Sequence, residues 1–222
     1  MSVEEANPSI YYVLNHYGMN IFVYNEYWEY QRTISVSYSP SYSITNNGSM
    51  YVTTDSSIYK YDKYLNLTKQ TDSCSINRGI YYNSFNGFIY AACMYSRNII
   101  ELDENLTTIR MLKTVYKPWF ITGYNGQMVV GDNDNGTVYF YQNDLIVQTI
   151  STQCTGRVSS ILFDSYNHML VLCESNNYLF IYDLFGTFTG ISFSTCFKPA
   201  SMNFDLKGRL VITCMNQIDI YY

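Results

Sequence analysis

Residues 160–183 read SILFDSYNHMLVLCESNNYLFIYD, and this stretch decides the fold. It contains three short runs of aromatic and β-branched residues, separated by the turn pair Asn167-His168 and by the polar segment 174–177. Runs of four or five such residues between turn formers are typical of short β-strands. A tight turn of this kind joins antiparallel neighbours. The stretch therefore predicts three consecutive antiparallel strands.

The same order of strands and turns recurs about every 40 residues, and a fourth strand such as 146–150 completes each copy. Turn pairs that favour positive φ occur at Asn47-Gly48, Asn86-Gly87, Asn125-Gly126, Asn167-His168 and Lys207-Gly208. Third strands follow each turn about ten residues later, at 21–25, 58–62, 99–103, 138–142, 179–183 and 218–222. Four short antiparallel strands in this spacing are typical of a propeller blade.

The repeats predict an all-β chain, a six-bladed β-propeller in one domain over residues 1–222. The repeats begin and end near 1–39, 40–78, 79–117, 118–157, 158–198 and 199–222. The first has only the segment Ser2-Val3-Glu4-Glu5 as an inner strand, and the sixth stops after its third strand. A closed ring covers the two faces that a linear stack of sheets would expose. Five blades are the alternative.

Two segments resemble the repeats of NHL or YVTN-type β-propellers. They are Gly48-Ser49-Met50-Tyr51-Val52 with Ser57-Ile58-Tyr59-Lys60-Tyr61-Asp62, and His168-Met169-Leu170-Val171-Leu172 with 176–183. The Ala-Asp pair usual after the second strand is replaced by Thr54-Asp55, Cys93-Met94 or Cys173-Glu174. The resemblance implies the propeller fold and transfers no catalytic residue.

Composition excludes several classes of function. Apolar residues make up 47% of the chain, charged residues only 14%, and the formal net charge is −5. Because no basic face exists to attract phosphates, nucleic acid is not an expected partner. No run reaches the roughly 18 apolar residues of a spanning helix. The first ten residues contain two glutamates and no apolar stretch, so a secreted protein would need a leader absent from this chain.

The six cysteines form three pairs at nearly one interval: Cys74 with Cys93, Cys154 with Cys173, and Cys196 with Cys214. Repeats that lack one member of a pair also lack the other, so the pairs predict three disulfides. In an antiparallel hairpin, the end of the second strand lies level with the start of the first, which brings the paired cysteines to one face. Disulfides indicate an extracellular location. Buried free thiols in a cytoplasmic protein are the alternative.

Four glycosylation sequons fall in predicted turns, at Asn47, Asn66, Asn105 and Asn135. With this content of Asn, Ser and Thr, random order produces a similar number of such triplets. The sequons therefore permit secretion without demonstrating it.

Few inner-strand residues are suited to catalysis, and the candidates are Tyr82, Asn83, Tyr124, Asp164, Asn203 and Asp205. Asp164 and Asp205 occupy matching places before a turn, which favours turn formation through their side chains over an acid pair. His16 and His168 are predicted to have surface or turn roles, and Trp28 and Trp119 to pack in the core. We expect no cofactor and no bound metal.

Residues 132–136 read DNDNG and resemble the opening of a calcium loop, with oxygen ligands on alternate residues. The glycine comes one place early, and no bidentate glutamate follows at the required distance. A solvated loop between two strands is the favoured interpretation.

We expect an extracellular, non-enzymatic propeller that engages a protein or glycan partner through the loops between second and third strands. Self-association is a further option. The residues predicted to bind are Asn15, His16, Tyr17, Asp55, Ser56, Tyr95, Arg97, Asp132, Asn133, Asp134, Glu174, Asn176, Asn177 and Asn216. One alternative is a structural subunit of an extracellular polymer or filament, completed by strand addition. Another is a secreted lactonase-like or lyase-like enzyme with a central metal.

Overall fold

The structure is a computed structural model that describes residues 10–46, 48–72, 74 and 77–221. All regular secondary structure in these residues is β-strand, arranged in six antiparallel sheets. Two compact units contain three sheets each, residues 1–113 and 114–222. The predicted inner strand Ser2–Glu5 lies outside the described residues, as do Asn47 and Tyr222. The expectation of a single domain stays a prediction.

The first unit contains eleven of the strands. Its first sheet has β1 (Ile10–Asn15), β2 (Asn20–Asn25) and β3 (Tyr30–Ser35). Its second has β4 (Tyr42–Asn46), β5 (Ser49–Thr53), β6 (Ser57–Tyr61) and β7 (Leu67–Asp72). Its third has β8 (Asn77–Asn83), β9 (Phe88–Cys93), β10 (Asn98–Leu102) and β11 (Thr108–Lys113).

The second unit contains the other eleven strands. The fourth sheet has β12 (Pro118–Tyr124), β13 (Gln127–Asp132), β14 (Thr137–Gln142) and β15 (Leu145–Ser151). The fifth has β16 (Val158–Phe163), β17 (Met169–Cys173), β18 (Tyr178–Tyr182) and β19 (Phe188–Ser194). The sixth has β20 (Ser201–Phe204), β21 (Leu210–Thr213) and β22 (Ile218–Tyr221).

These sheets are the blades of a six-bladed β-propeller, which confirms the predicted fold class and excludes the five-bladed alternative. Each four-stranded sheet is a meander in which consecutive strands are neighbours. In the described residues the first and sixth sheets have three strands, which agrees with the prediction that those repeats are incomplete.

Every blade has two distinct ends. We call the end where the second strand connects to the third the loop end, and the end with the first-to-second and third-to-fourth connections the turn end. At the turn end of the fourth sheet, Asn125 and Gly126 have φ values of 48° and 77°. Two successive positive φ angles define the tight hairpin turn that the Asn-Gly pair predicts.

The core lies between neighbouring sheets of a unit, because second strands are covered on both faces. All five residues of β17 are buried, and so are the last five of β9. Strands covered on both sides have apolar residues in nearly continuous runs instead of alternating with polar ones. Fourth strands such as β11 are mostly exposed and contain charged residues. Burial therefore decreases from the second strand outward.

Three predicted third strands end one residue earlier than expected, at Tyr61, Leu102 and Tyr182. The aspartate that follows each strand opens a turn instead of continuing the ladder. Asp62 Oδ1, for example, accepts the backbone N–H groups of Tyr64 at 2.8 Å and Asn66 at 2.9 Å. Because the aspartate side chain accepts two backbone N–H groups of the turn, these groups need no hydrogen-bond acceptor on a neighbouring strand.

Candidate binding surface at the loop end

Three disulfides lie at the loop ends of the third, fifth and sixth sheets. They join Cys74 to Cys93, Cys154 to Cys173 and Cys196 to Cys214, with Cα–Cα distances of 5.8, 5.5 and 6.0 Å. These are the pairs that the sequence spacing predicts. In each, the cysteine before the inner strand is linked to the end of the second strand, or to the residue after it. The bond fixes the segment by which the chain enters the blade.

The second and fourth sheets, which have no disulfide, have polar residues at the corresponding register position. Val158, the first residue of β16, is paired with Cys173, whereas Tyr42 is paired with Thr53 in the second sheet. The Thr53 hydroxyl donates to the backbone carbonyl of Arg78 at 2.8 Å and accepts the N–H of Tyr42 at 3.1 Å. A buried hydroxyl thus connects the second sheet to the start of β8 without a covalent link.

Asp132 occupies the same register position in the fourth sheet, opposite Pro118. The side chain was predicted to bind a partner, and that prediction is wrong because the residue is fully buried. Its Oδ1 accepts the N–H of Asp134 at 3.1 Å, while Oδ2 has no hydrogen-bond partner among the described residues. Burial raises the pKa of the Asp132 carboxyl above its ordinary value, and the nearby carboxylate of Asp134 adds to this.

Two other side-chain oxygens of the 132–136 loop contact basic groups. Asp134 Oδ2 lies 2.9 Å from Lys117 Nζ, and Asn133 Oδ1 accepts the Nε–H of Arg157 at 3.0 Å. Within the described part of the chain there is no group of three His, Cys, Asp or Glu side chains that could hold a metal ion. The loop is thus held by ion pairs and hydrogen bonds.

Arg157 organises the loop end of the fourth and fifth sheets. Its guanidinium lies 3.7 Å above the centroid of the Trp119 ring and forms an ion pair with Glu174, while its backbone N–H donates to Ser175 Oγ at 3.1 Å. A guanidinium that is both stacked and hydrogen-bonded has little remaining freedom. The contact also places Trp119 in a cation–π stack on a half-buried surface. Sequence spacing alone offered no signal for this pairing.

Several of the predicted binding residues are tied to their own fold. Asp55 forms a 2.9 Å ion pair with Arg78, and Asn177 Oδ1 accepts the N–H of Lys198 at 2.8 Å. Asn176 Nδ2 donates to the carbonyl of Gln153 at 3.4 Å. Asn15 Oδ1 accepts the N–H of Gly18 at 3.0 Å.

His16 Nδ1 lies 3.3 Å from the carbonyl oxygen of Pro40, which fits the predicted surface role. The predicted loop residues that remain exposed are Tyr17, Asp55, Ser56, Tyr95, Arg97, Asp134 and Asn216. The loop end therefore consists of anchored polar residues and a smaller set of outward-facing side chains.

The inner-strand acids form turns, as the sequence analysis favoured. Asp164 Oδ1 accepts the N–H groups of Tyr166 and His168, both at 2.8 Å, and Asp205 accepts those of Lys207 and Arg209, both at 2.9 Å. Burial opposes ionisation of both carboxyls. The hydrogen bonds and the nearby His168 and Arg209 outweigh it and hold the pKa of Asp164 and of Asp205 below the ordinary value.

The remaining candidates have structural contacts. Asn83 Oδ1 accepts the N–H of Phe85 at 3.0 Å, and the Tyr124 hydroxyl donates to Asn167 Oδ1 at 3.0 Å. Trp28 stacks on Tyr11 with ring centroids 4.4 Å apart. Trp28 and Trp119 are both half-buried, so the prediction that they pack in the core is wrong. The sequon residues Asn66, Asn105 and Asn135 are exposed in turns or loops.

Comparison with known proteins shows the fold. No protein-family profile matches the sequence, and no curated protein is similar enough to count as a relative. A solved streptogramin B lyase is 14% identical and covers 99% of this chain and 81% of its own, with a TM-score of 0.76. Virginiamycin B lyase from Staphylococcus aureus is 15% identical, covers 99% of this chain and 82% of its own, with a TM-score of 0.74.

The WD40 domain of Neurospora crassa Pan2 is 9% identical, covers 100% of this chain and 77% of its own, with a TM-score of 0.72. The same architecture thus occurs in lyases and in WD40 domains, so the likeness defines the chain as a β-propeller and leaves its activity open. None of the described residues forms a helix of the length and apolarity that crossing a bilayer requires.

Proposed function

We propose that this chain is an extracellular, non-enzymatic β-propeller of the NHL type that binds a macromolecular partner through its loop end. The observation that carries the proposal is the set of three disulfides, which all lie at the loop end of their blade. Stable disulfides form in oxidising compartments, which supports a location outside the cell. Their position supports a role for the loops that they immobilise.

Preorganisation is the physical reason for placing the partner there. Ordering a loop on binding costs free energy, so loops already held by disulfides and ion pairs bind with a smaller entropic penalty. The ion pairs of Arg157 with Glu174 and of Asp55 with Arg78 hold polar loop residues in place. Tyr17 and Tyr95 extend into solvent. Rigid exposed tyrosines beside fixed polar groups are typical of protein-binding and glycan-binding surfaces.

The non-enzymatic part of the proposal is supported by the roles of the ionisable side chains. Catalysis requires convergent acids, bases or nucleophiles with unfilled hydrogen-bonding capacity in a cleft. Glu174, Asp134 and Asp55 are ion-paired, and Asp164 and Asp205 each serve their own turn. These five acidic groups therefore stabilise the fold.

Two measurements test the proposal. The first is intact mass spectrometry after alkylation, with and without prior reduction. We expect no alkylated cysteine in the native protein and six after reduction. Six alkylated cysteines in the native protein would remove the extracellular assignment. A photo-crosslinking residue at position 95 should capture partners from extracellular medium, and one at position 111, on the exposed fourth strand β11 and outside both ends of the blade, should not. Equal capture at both positions would contradict a loop-end site.

One observation favours a second candidate function, a structural subunit completed by strand addition. All four residues of β22 are half-buried, whereas third strands such as β10 and β18 are largely buried beneath a fourth strand. No strand among the described residues covers the outer edge of β22, and such an edge is a template for another strand. Light scattering of the chain with and without residues 1–9 tests this: concentration-dependent polymers support it, and monomers in both cases refute it.

A further inference from the structure

Large aromatic side chains extend into solvent at the turn ends. In the first unit these are Tyr27, Tyr64 and Phe85, and in the second Tyr166 and Phe185, with exposures from 66% to 88%. Single exposed apolar residues are common and need no explanation. These five, however, occupy the same local position, which makes them a repeated feature of the molecule.

Each ring follows by two residues an Asn or Asp that opens a turn. The backbone N–H of the aromatic residue donates to that side chain, as Phe185 does to Asp183 at 2.9 Å and Tyr27 to Asn25 at 3.0 Å. Seven turn-end connections open in this way, and five have Tyr or Phe at this position. Aromatic residues are 18% of the chain, so only about one of the seven is expected by chance.

The turn end of the first unit is strongly acidic. Its turns contain Glu26, Glu29, Asp62, Asp103 and Glu104 against the single basic residue Lys63. Hydrogen bonds from the turn amides, those of Asn66 and Thr107 first, hold the pKa values of Asp62 and Asp103 below the ordinary value. These carboxylates are therefore ionised at neutral pH, beside exposed rings.

The turn ends of the second unit also contain more acidic than basic residues. Its turns contain Asp144, Asp164, Asp183 and Asp205 against Lys207 and Arg209, and Arg209 is ion-paired with Asp205. Together the turn ends contain half of the eighteen acidic residues but only three of the thirteen basic ones. Their excess of six negative charges is larger than the net charge of the whole chain, −5. The loop ends do not share this excess.

A cationic side chain already contacts one of these rings. Lys63 Nζ lies 5.0 Å from the centroid of the Tyr64 ring, within cation–π range. The neighbouring carboxylate of Asp62 strengthens the attraction for a cation at this place. The Lys63–Tyr64 contact is therefore an internal example of the cation–π contact that a lysine or arginine of another polypeptide would make with the other rings.

We propose that the turn ends of each unit form a further interaction surface, whose partner is a polypeptide rich in lysine and arginine. The exposed rings supply cation–π faces and apolar area, and the ionised carboxylates supply complementary charge. This surface lies at the opposite end of each blade from the loops described above, and it does not depend on the function proposed for them.

Exposed aromatic residues also bind sugars and lipid bilayers, and the negative charge at the turn ends argues against both of these ligands. A neutral sugar stacks on rings but gains nothing from surrounding carboxylates. A bilayer surface with anionic lipids would be repelled by the same groups. The excess of negative charge therefore favours a basic polypeptide.

The probe is a fluorescein-labelled 16-residue peptide of alternating lysine and glycine, and the full chain is titrated against it by anisotropy. The test variants are Tyr64→Ser/Phe85→Ser in the first unit and Tyr166→Ser/Phe185→Ser in the second. The matched control is Tyr17→Ser/Tyr95→Ser at the loop end, which removes two exposed rings without changing charge. All three variants alter exposed side chains, and circular dichroism verifies their folding.

Each test variant removes two rings, and the loss of one exposed cation–π contact raises the Kd about threefold. We therefore expect each test variant to raise the Kd for the lysine peptide about tenfold. The control should stay within twofold of the parent. Equal weakening in test and control variants, or none in either, would overturn the proposal. So would ring-dependent binding of maltoheptaose or of phosphatidylcholine vesicles in place of the peptide.

Discussion

Replacing Cys154 and Cys173 together by alanine removes the disulfide at the loop end of the fifth sheet. The bond closes a loop with a sequence separation of 19 residues. In the chain-entropy description, opening such a loop costs about 3 kcal/mol of unfolding free energy. Both sulfurs are buried, so the cavity left behind adds about 1 kcal/mol. A total loss of about 4 kcal/mol is a large part of the ~5–15 kcal/mol that stabilises a typical domain.

Urea unfolding followed by tyrosine fluorescence measures this loss. The matched control is Cys74→Ala/Cys93→Ala, whose bond has the same sequence separation of 19. Loop closure contributes equally in the two variants, but Cys74 is only half-buried, so its removal leaves less of a cavity. We expect the control to lose about 3 kcal/mol, and the Cys154 pair about 1 kcal/mol more.

A calorimetric midpoint should fall by roughly 8–16 °C for the Cys154 pair, since 1 kcal/mol moves the midpoint of a chain of this size by about 2–4 °C. A loss of less than 1 kcal/mol in both double variants would refute the reasoning. It would mean that the hydrogen-bonded ladders hold the blade entrances without covalent help.

Three further changes have signs that the structure determines. Asp132→Asn should stabilise the fold by about 1–3 kcal/mol at pH 7, because it removes a buried carboxylate whose Oδ2 has no hydrogen-bond partner among the described residues. Because the folded pKa of Asp132 is raised, this gain should vanish below about pH 4. Asp134→Asn should gain less, since it only relieves repulsion on Asp132 and loses the ion pair with Lys117. Asp205→Asn should lower the free energy of unfolding by about 2 kcal/mol at pH 7, because it removes the ion pair with Arg209. Since the folded pKa of Asp205 is lowered, the parent protein should lose this extra stability as the pH falls below the unfolded pKa of about 3.9. Thr53→Val should cost about 1–2 kcal/mol by leaving the Arg78 carbonyl without its hydroxyl donor, while exposed Thr68→Val should change urea unfolding by less than 0.5 kcal/mol.

The blades were predictable because their signals are local. A hairpin needs two strand-forming runs and a turn pair such as Asn125-Gly126, all within about 15 residues. The cysteine pairs were predictable for the same reason, since both members belong to one blade and recur at one interval. The early ends of the third strands were missed because Asp62 or Asp183 fits the strand pattern until its side chain is seen to accept two turn amides.

The candidate site was only partly predictable. Asp55 and Asp132 both end a second strand in the sequence, yet Asp55 is exposed and Asp132 is buried. The difference arises because Asp132 lies at the register position opposite the first residue of the inner strand, whereas Asp55 lies two residues beyond that position. Strand register across a sheet, and not residue type, decides which of the two faces solvent.

The sequence by itself determined the repeated blades and the cysteines that become linked, because each depends on contacts within one stretch of about 40 residues. It favoured six blades over five, and the structure decided that number. Only the tertiary structure decided which polar loop residues are anchored and which aromatic residues face solvent. Arg157 joins Trp119, Asn133 and Glu174 from two blades, and no spacing along the chain encodes such a meeting. Contacts between blades depend on how whole sheets pack, since packing sets the distances between residues that lie far apart in the sequence.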